Sequence, residues 1–199
     1  MDILLASKSP TRAKLLESAG IAFQAVDHGV DEEEVKLTMS SYKPKEVAVK
    51  LSELKALKPS LLNPNAFVIG SDQILDLEGK LFSKALDRKT AEEQLKILSG
   101  QEHTLITSTV VAKNNAIVWR YLNESKMKVR ELSEKVITKY ISEVNEETFN
   151  MVGVYAIEKE GIKLFEAISG DMFSIQGLSM LPLMQFLWDN KILFKDERK

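Results

Sequence analysis

A single carboxylate interrupts an apolar run at Val68-Ile-Gly-Ser-Asp-Gln-Ile-Leu75. The hydrophobic residues on both sides are typical of β-strand, and Gly70 breaks the run. We therefore expect Asp72 near the end of a core strand, where a rigid scaffold can hold a base or a metal ligand. Gly-Ser-Asp is also common in turns, so a turn or capping aspartate is the alternative interpretation.

The N-terminal segment predicts a short strand followed by a capped helix. Residues 3–6 are apolar, and Ser9 and Pro10 suit the N-cap and first positions of a helix. A strand that leads into a helix N-terminus leaves backbone N–H groups unpaired, and Lys8 and Arg12 stand beside them. The segment fits a phosphate site, and equally a capped helix with a solvated arginine.

Several later segments have helical patterns. Four consecutive acids at 31–34 favour a helix start or a solvated loop, from which one carboxylate could turn inward to hold a divalent cation. Residues 45–58 carry apolar side chains at helical spacing, and Pro59 is expected to end that helix. Ser133 predicts the cap of another helix, and the very apolar segment 180–188 predicts the last one.

The remaining segments predict strands. Residues 76–80 resemble a hairpin connection that would return Lys84 along the adjacent strand towards Asp72. Residues 103–132 predict three antiparallel strands, divided by Asn114-Asn115 and by a polar stretch at 123–126. Short strands are expected in the last third, at 152–157, 162–168 and 173–176.

The order of elements predicts one α/β (α+β) domain over residues 1–199, with a mixed twisted sheet and two lobes around a central cleft. Twenty-seven basic and 29 acidic residues leave a net charge of -2, so no global field favours nucleic acid or an anionic membrane. The absence of cysteine excludes thiolate chemistry. No apolar run has signal-peptide or membrane-spanning character, and we expect a cytoplasmic protein.

The chain resembles the Maf-like family of nucleoside triphosphate pyrophosphatases along nearly its whole length. The N-terminal match is the most specific because it fixes many positions at once. The matching stretches, in order, are Leu5-Ala-Ser-Lys-Ser-Pro-Thr-Arg-Ala-Lys-Leu-Leu16, Val30-Asp-Glu32, Gly70-Ser-Asp-Gln73, Lys84, Leu98-Ser-Gly-Gln-Glu-His103, Gly153-Val-Tyr155 with Glu158, and Gly177-Leu178.

The resemblance implies a Maf/ITPase-like domain that hydrolyses a nucleoside triphosphate to the monophosphate and pyrophosphate with a divalent metal, Mg or Mn. Such an activity would remove non-canonical nucleotides from the pool. Asp72 would accept the proton of the attacking water and, with Glu32, hold the metal. The resemblance also implies a triphosphate site at Ser7, Arg12, Lys55 and Lys84, and base-specificity positions at Thr11, Gln73 and Glu158.

Gln73 and Glu158 resemble the family branch associated with 7-methyl-GTP, whereas the branch acting on dTTP and UTP typically has threonine and glutamine there. Thr11 departs from the arginine or tryptophan of many relatives. A nucleotide-binding regulator of septum formation without turnover is the alternative function. A serine–histidine hydrolase is disfavoured because neither histidine is placed to orient a nucleophile. The resemblance leaves a homodimer open.

Overall fold

A mixed β-sheet runs through the part of the chain, residues 2–193, that the computed structural model describes. Within residues 2–193 the strands are β1 Ile3–Leu5, β2 Gln24–Ala25, β3 Phe67–Leu77, β4 Lys80–Leu81, β5 Glu102–Lys113, β6 Ala116–Val129 and β7 Phe165–Ser169. Their order in the sheet is β2-β1-β3-β5-β6-β7, and β4 pairs with β3. β1 lies parallel to β2 and β3, while the other pairs are antiparallel. This arrangement confirms the predicted mixed α/β class.

Helices cover both sides of this sheet, and most begin at a side-chain cap. Ser9, Asp31, Asp87 and Ser133 each accept a hydrogen bond from a backbone N–H in the first turn that follows. The α-helices of the described chain are α1 Pro10–Ser18, α2 Glu32–Thr38, α3 Pro44–Leu62, α4 Arg88–Leu98, α5 Glu134–Glu143, α6 Met172–Ile175 and α7 Met180–Asp189. Within residues 2–193, no helix is long and apolar enough to cross a membrane.

The prediction that Gly70 breaks the central strand is wrong. β3 continues through Gly70 because β5 pairs with it from Val68 to Asp76. Asp72 therefore lies in the middle of a core strand, not near its end. Gly70 has a different role: a Cβ there would collide with the Ser52 carbonyl oxygen and lie 2.8 Å from the Ala56 Cβ. Glycine thus allows α3 to approach the sheet closely.

We expect Gly70→Ala to lower the free energy of unfolding by about 3 kcal/mol, because overpacking against backbone atoms costs the upper end of the usual range. Chemical denaturation measures the change. Gly20→Ala is the control, since its added Cβ meets nothing within 4 Å and only the φ of +68° opposes it. That control should lose about 1 kcal/mol. Equal losses in the two variants would contradict the close-approach role.

Other boundaries also differ from the predictions. Pro59 lies inside α3, which ends only at Leu62, because Pro59 is buried and packing outweighs the lost N–H. β6 is one strand through the polar stretch 123–126, since β5 pairs with it throughout. Residues 103–132 therefore form two long strands, not three.

Most of the last third is not strand. Gly153 and Val154 have φ of +78° and +61°, which a strand cannot accommodate. 3₁₀-helices at Val152–Val154 and Glu160–Leu164 replace the first predicted strand and the start of the second, and a further 3₁₀-helix precedes them at Glu146–Asn150. Asp171 caps α6 where the third strand was predicted. Only Phe165–Ser169 pairs as β7.

Two hydrophobic cores share the long strands. The first half of β3 contributes Ile69 to a core beneath α7, and the second half contributes Leu75 to a core with α4 and α5. β5 likewise contributes Val111 to one and Leu105 to the other. Asp72 lies between Ile69 and Leu75 along β3, but its side chain is on the opposite face of the strand, where it contacts Lys55 of α3. The predicted extent of a single domain, residues 1–199, stays a prediction, and Met1 and 194–199 lie outside the described residues.

Candidate active site

A buried lysine joins two carboxylates that come from different elements. Lys55 Nζ of α3 lies 2.6 Å from Asp72 Oδ1 of β3 and 2.8 Å from Glu32 Oε1 at the start of α2. Lys55 and Asp72 are only 3% and 5% exposed. Charges this deeply buried need a partner, and each carboxylate has the same ammonium.

The two carboxylates differ in basicity. Burial raises the pKa of Asp72, although the Lys55 charge and hydrogen bond oppose this effect. Burial also acts to raise the pKa of Glu32, but its partner Lys55 outweighs that effect and lowers the pKa to about 2. An environment that separates two acids in this way is typical of a site with a distinct base. Asp72 is therefore the better proton acceptor, and Glu32 remains ionised.

Arg12 connects the first helix to the rest of the site. Its Nε donates to the Gly177 carbonyl at 2.7 Å, and its Nη1 donates to Ser7 Oγ at 3.2 Å and to the Ser71 carbonyl at 2.9 Å. These bonds use three of the five guanidinium N–H groups and leave the two on Nη2 for a ligand. Arg12 therefore links α1 to β3 and to Gly177, and it is also a candidate for phosphate binding. It is not the solvated arginine of the alternative interpretation.

One cavity of about 580 Å³ brings the predicted site residues together. Lys84 reaches it from the loop after β4, which ends at Leu81, so the expected strand position of Lys84 is wrong. The Lys84 charge is close enough to contribute to the low pKa of Glu32. All the predicted site residues line the cavity: Ser7, Thr11, Arg12, Glu32, Lys55, Asp72, Gln73, Lys84 and Glu158.

The specificity candidates present oxygen atoms to this cavity. Gln73 Nε2 lies 2.9–3.0 Å from Thr107 Oγ1 and from the carbonyls of Ser174 and Ile175. Carbonyls only accept, so the amide nitrogen must face them and the amide oxygen is left for a ligand. Thr11 Oγ1 donates to Glu158 Oε1 at 3.2 Å. Thr11 therefore contacts the carboxylate of Glu158 and offers a base no aromatic face.

The carboxylates of Asp72 and Glu32 can form a Mg²⁺ site only if a bound substrate supplies further oxygen ligands. The carboxylates of Asp72 and Glu32 converge on one position, and the Lys55 ammonium occupies it. Within residues 2–193, no group of three or more acidic, histidine or cysteine side chains is placed to hold a metal. Mg²⁺ is commonly held by one or two carboxylates together with substrate phosphates, and these two carboxylates fit that pattern.

Several charged or polar cavity residues were not predicted, among them His28, Lys36, Glu147 and Asn150. His28 and Lys36 line the same cavity, beside Glu32. Lys36 is one turn beyond Glu32 in α2, so the helical spacing could have indicated it. His28 lies in the turn before α2, where no periodicity predicts the direction of a side chain.

Sequence comparison places these residues in a known family. The family model described as Maf-like protein matches residues 2–190. The chain belongs to the Maf-like family. A 7-methyl-GTP pyrophosphatase from Rhizobium meliloti is 42% identical over 93% of this chain and 94% of its own length. A nucleoside triphosphate pyrophosphatase from Ruegeria pomeroyi is 40% identical over 94% and 95%.

A third relative is also similar to this chain over almost the whole length of both proteins. A 7-methyl-GTP pyrophosphatase from Brucella abortus is 40% identical over 97% of this chain and 98% of its own. The whole cavity lies within residues 2–190, the region that the family model matches.

Proposed function

We propose that this Maf-like protein hydrolyses nucleoside triphosphates to the monophosphate and pyrophosphate. The observation that carries this function is a buried base candidate, Asp72, in one cavity with Arg12, Lys55 and Lys84. Pyrophosphate departs with negative charge, so the reaction needs cations around the phosphates and one carboxylate to orient water. Relatives that match this chain over almost their whole length are named pyrophosphatases, and this supports the same reaction. Removal of non-canonical nucleotides from the pool would be its cellular use.

The charged residues of the cavity have separate roles in the proposed reaction. Asp72 takes a proton from the water that attacks the α-phosphorus, the new P–O bond forms, and the bond to the bridging oxygen of the β-phosphate breaks. Lys84 and the Nη2 group of Arg12 neutralise the departing pyrophosphate. Lys55 keeps Asp72 ionised and oriented before substrate arrives. A divalent cation, Mg or Mn, would be held by Glu32 and Asp72 and would supply Lewis-acid charge at the phosphates.

Product identity tests the function. The purified protein is incubated with each nucleoside triphosphate in magnesium or manganese, and products are separated by anion exchange. Monophosphate and pyrophosphate in equal amounts are expected. Diphosphate and phosphate would contradict the proposed bond cleavage, and no product would favour the nucleotide-binding regulator.

Among the bases, we propose guanine or a modified purine as the preferred class. The free oxygen of Gln73 and the carboxylate of Glu158 are both acceptors, and guanine presents the N1–H and the exocyclic amine as donors. A uracil or thymine carbonyl would be repelled by Glu158. The negative charge also favours a cationic methylated ring, as the 7-methyl-GTP names of several relatives would suggest.

Glu158→Gln should narrow the preference for GTP over UTP by about tenfold, because it removes both the charge-assisted bond and the repulsion. The ratio of kcat/KM for the two nucleotides measures the change. Glu160→Gln is the matched control, since it makes the same chemical change two residues away and does not line the cavity. A wild-type preference for dTTP or UTP, or a ratio unchanged by Glu158→Gln, would refute the base assignment.

A further inference from the structure

His28 is a nearly buried cavity residue that the proposed reaction does not use. Its side chain is 12% exposed and lines the same cavity as Glu32 and Lys55. The backbone N–H of Val30 donates to its Nδ1 at 3.1 Å. A ring nitrogen that accepts a hydrogen bond carries no proton, so the imidazole is neutral with its proton on Nε2.

This Nε2–H group has no partner within the described chain. The carboxylate oxygen Glu32 Oε1 lies 3.8 Å from it, beyond hydrogen-bond distance, and residues 2–193 supply no other acceptor to it. Lys55 Nζ already donates to the same Glu32 oxygen at 2.8 Å. The His28 ring lines open cavity space that a ligand oxygen can enter to accept this hydrogen bond.

The ring is held in place by the turn that carries it. Gly29 follows with φ of +57°, and its carbonyl accepts a hydrogen bond from Lys58 Nζ of α3 at 2.5 Å. Val30 packs against the apolar cluster formed by α3, β3 and β5. Burial and the Lys55 charge lower the pKa of His28, in agreement with a neutral ring. The donor is therefore presented in a fixed direction.

We propose that His28 is a further substrate-binding residue whose Nε2–H donates to an oxygen of the bound triphosphate, an assignment that rests on the proposed function for the nature of the ligand. Glu32, 3.8 Å from the ring, contacts Lys55, which is one of the residues that the resemblance assigns to the triphosphate site. A neutral N–H group can donate to a phosphate oxygen without forming a permanent ion pair with Glu32. A second lysine at this position would form such a pair.

Two amide substitutions separate binding from a role in the turn. His28→Gln places an N–H near the position of Nε2 but cannot reproduce the short-range acceptor at Nδ1. His28→Asn places an acceptor oxygen near Nδ1 but has no atom near Nε2. Inorganic triphosphate is titrated into each variant and the wild type by calorimetry in magnesium-free buffer, and thermal unfolding of the same samples checks the fold.

Wild type and His28→Gln should bind inorganic triphosphate within about threefold of each other, while His28→Asn should bind about tenfold more weakly, as expected for a lost bond to a charged acceptor. If His28→Gln fails to bind more tightly than His28→Asn, or if the wild type does not bind, the assignment is overturned. Turnover is measured separately, so a protein that binds triphosphate in this order but forms no products contradicts only the proposed reaction.

Nitrogen-15 NMR of the wild type tests the same assignment without substitution. The chain has two histidines, so the ring signals are few and His28→Asn identifies those of His28. The protonated nitrogen should be Nε2, and its proton signal should move downfield when inorganic triphosphate is added. A proton on Nδ1, or an Nε2–H signal that triphosphate leaves unchanged, would overturn the proposal even if a variant failed to fold.

Discussion

Asp72→Asn is expected to lower kcat by at least about a hundredfold while the protein stays folded. Asparagine matches the shape of the carboxylate but cannot accept a proton from water. Lys55 keeps its bond to Glu32 at 2.8 Å in the variant, so the buried ammonium is not left alone. Steady-state kinetics with the best nucleotide measure the loss, and thermal unfolding of the same sample reports on the fold.

Asp76→Asn is the matched control for this variant. Asp76 lies four residues further along β3 and accepts a hydrogen bond from the Gly79 N–H in the hairpin turn. The same chemical change there should leave kcat near the wild-type value. Activity retained in Asp72→Asn would show that Asp72 is a structural carboxylate, and an equal loss in both variants would indicate a general effect of altering β3.

Lys55→Met should lower the free energy of unfolding by about 3–5 kcal/mol at pH 7, because it leaves the buried carboxylate of Asp72 without its cation. Methionine retains most of the length and volume of the lysine. Without the ammonium, the pKa values of Asp72 and Glu32 both rise in the folded protein. The folded variant then binds more protons than the unfolded chain, so its stability falls as pH rises through those raised pKa values.

In the wild type, the stability that Glu32 contributes has the opposite dependence on pH. Its folded pKa of about 2 contributes stability that is present above the unfolded value and is lost as pH falls towards 2. The deficit of Lys55→Met should therefore be largest near pH 7 and smaller near pH 4. Urea unfolding at the two pH values measures it. A deficit independent of pH would mean that lost packing, not charge, causes the effect.

Lys58→Met provides the comparison on the same helix. Lys58 is exposed and about one turn beyond Lys55, and within residues 2–193 its ammonium donates only to the Gly29 carbonyl. Its replacement should cost about 1 kcal/mol or less and show little dependence on pH between 4 and 7. Comparable losses in the two variants would contradict the view that the buried ion group makes Lys55 exceptional.

The sequence by itself determined the elements whose signals are local. Ser9 with Pro10 correctly predicted the start of α1, because an N-cap acts on N–H groups two or three residues away. Ser133 did so for α5, and the turn residues at 76–80 correctly predicted a hairpin, although its return strand is Lys80–Leu81 and does not reach Lys84. The order of these elements indicated a mixed sheet with a cleft. The motif from Leu5 to Leu16 indicated the family that the comparisons show.

Tertiary structure alone decided how long the elements are and what the site residues contact. Gly70 and Pro59 have low local propensity for strand and helix, yet β5 pairing and burial carry both elements through them. The left-handed backbone at Gly153-Val154 excluded a predicted strand. Lys55, Asp72 and Glu32 meet only because α3, β3 and α2 pack together. No periodicity encodes a bond between residues so far apart, and burial, which sets their pKa values, exists only in the folded chain.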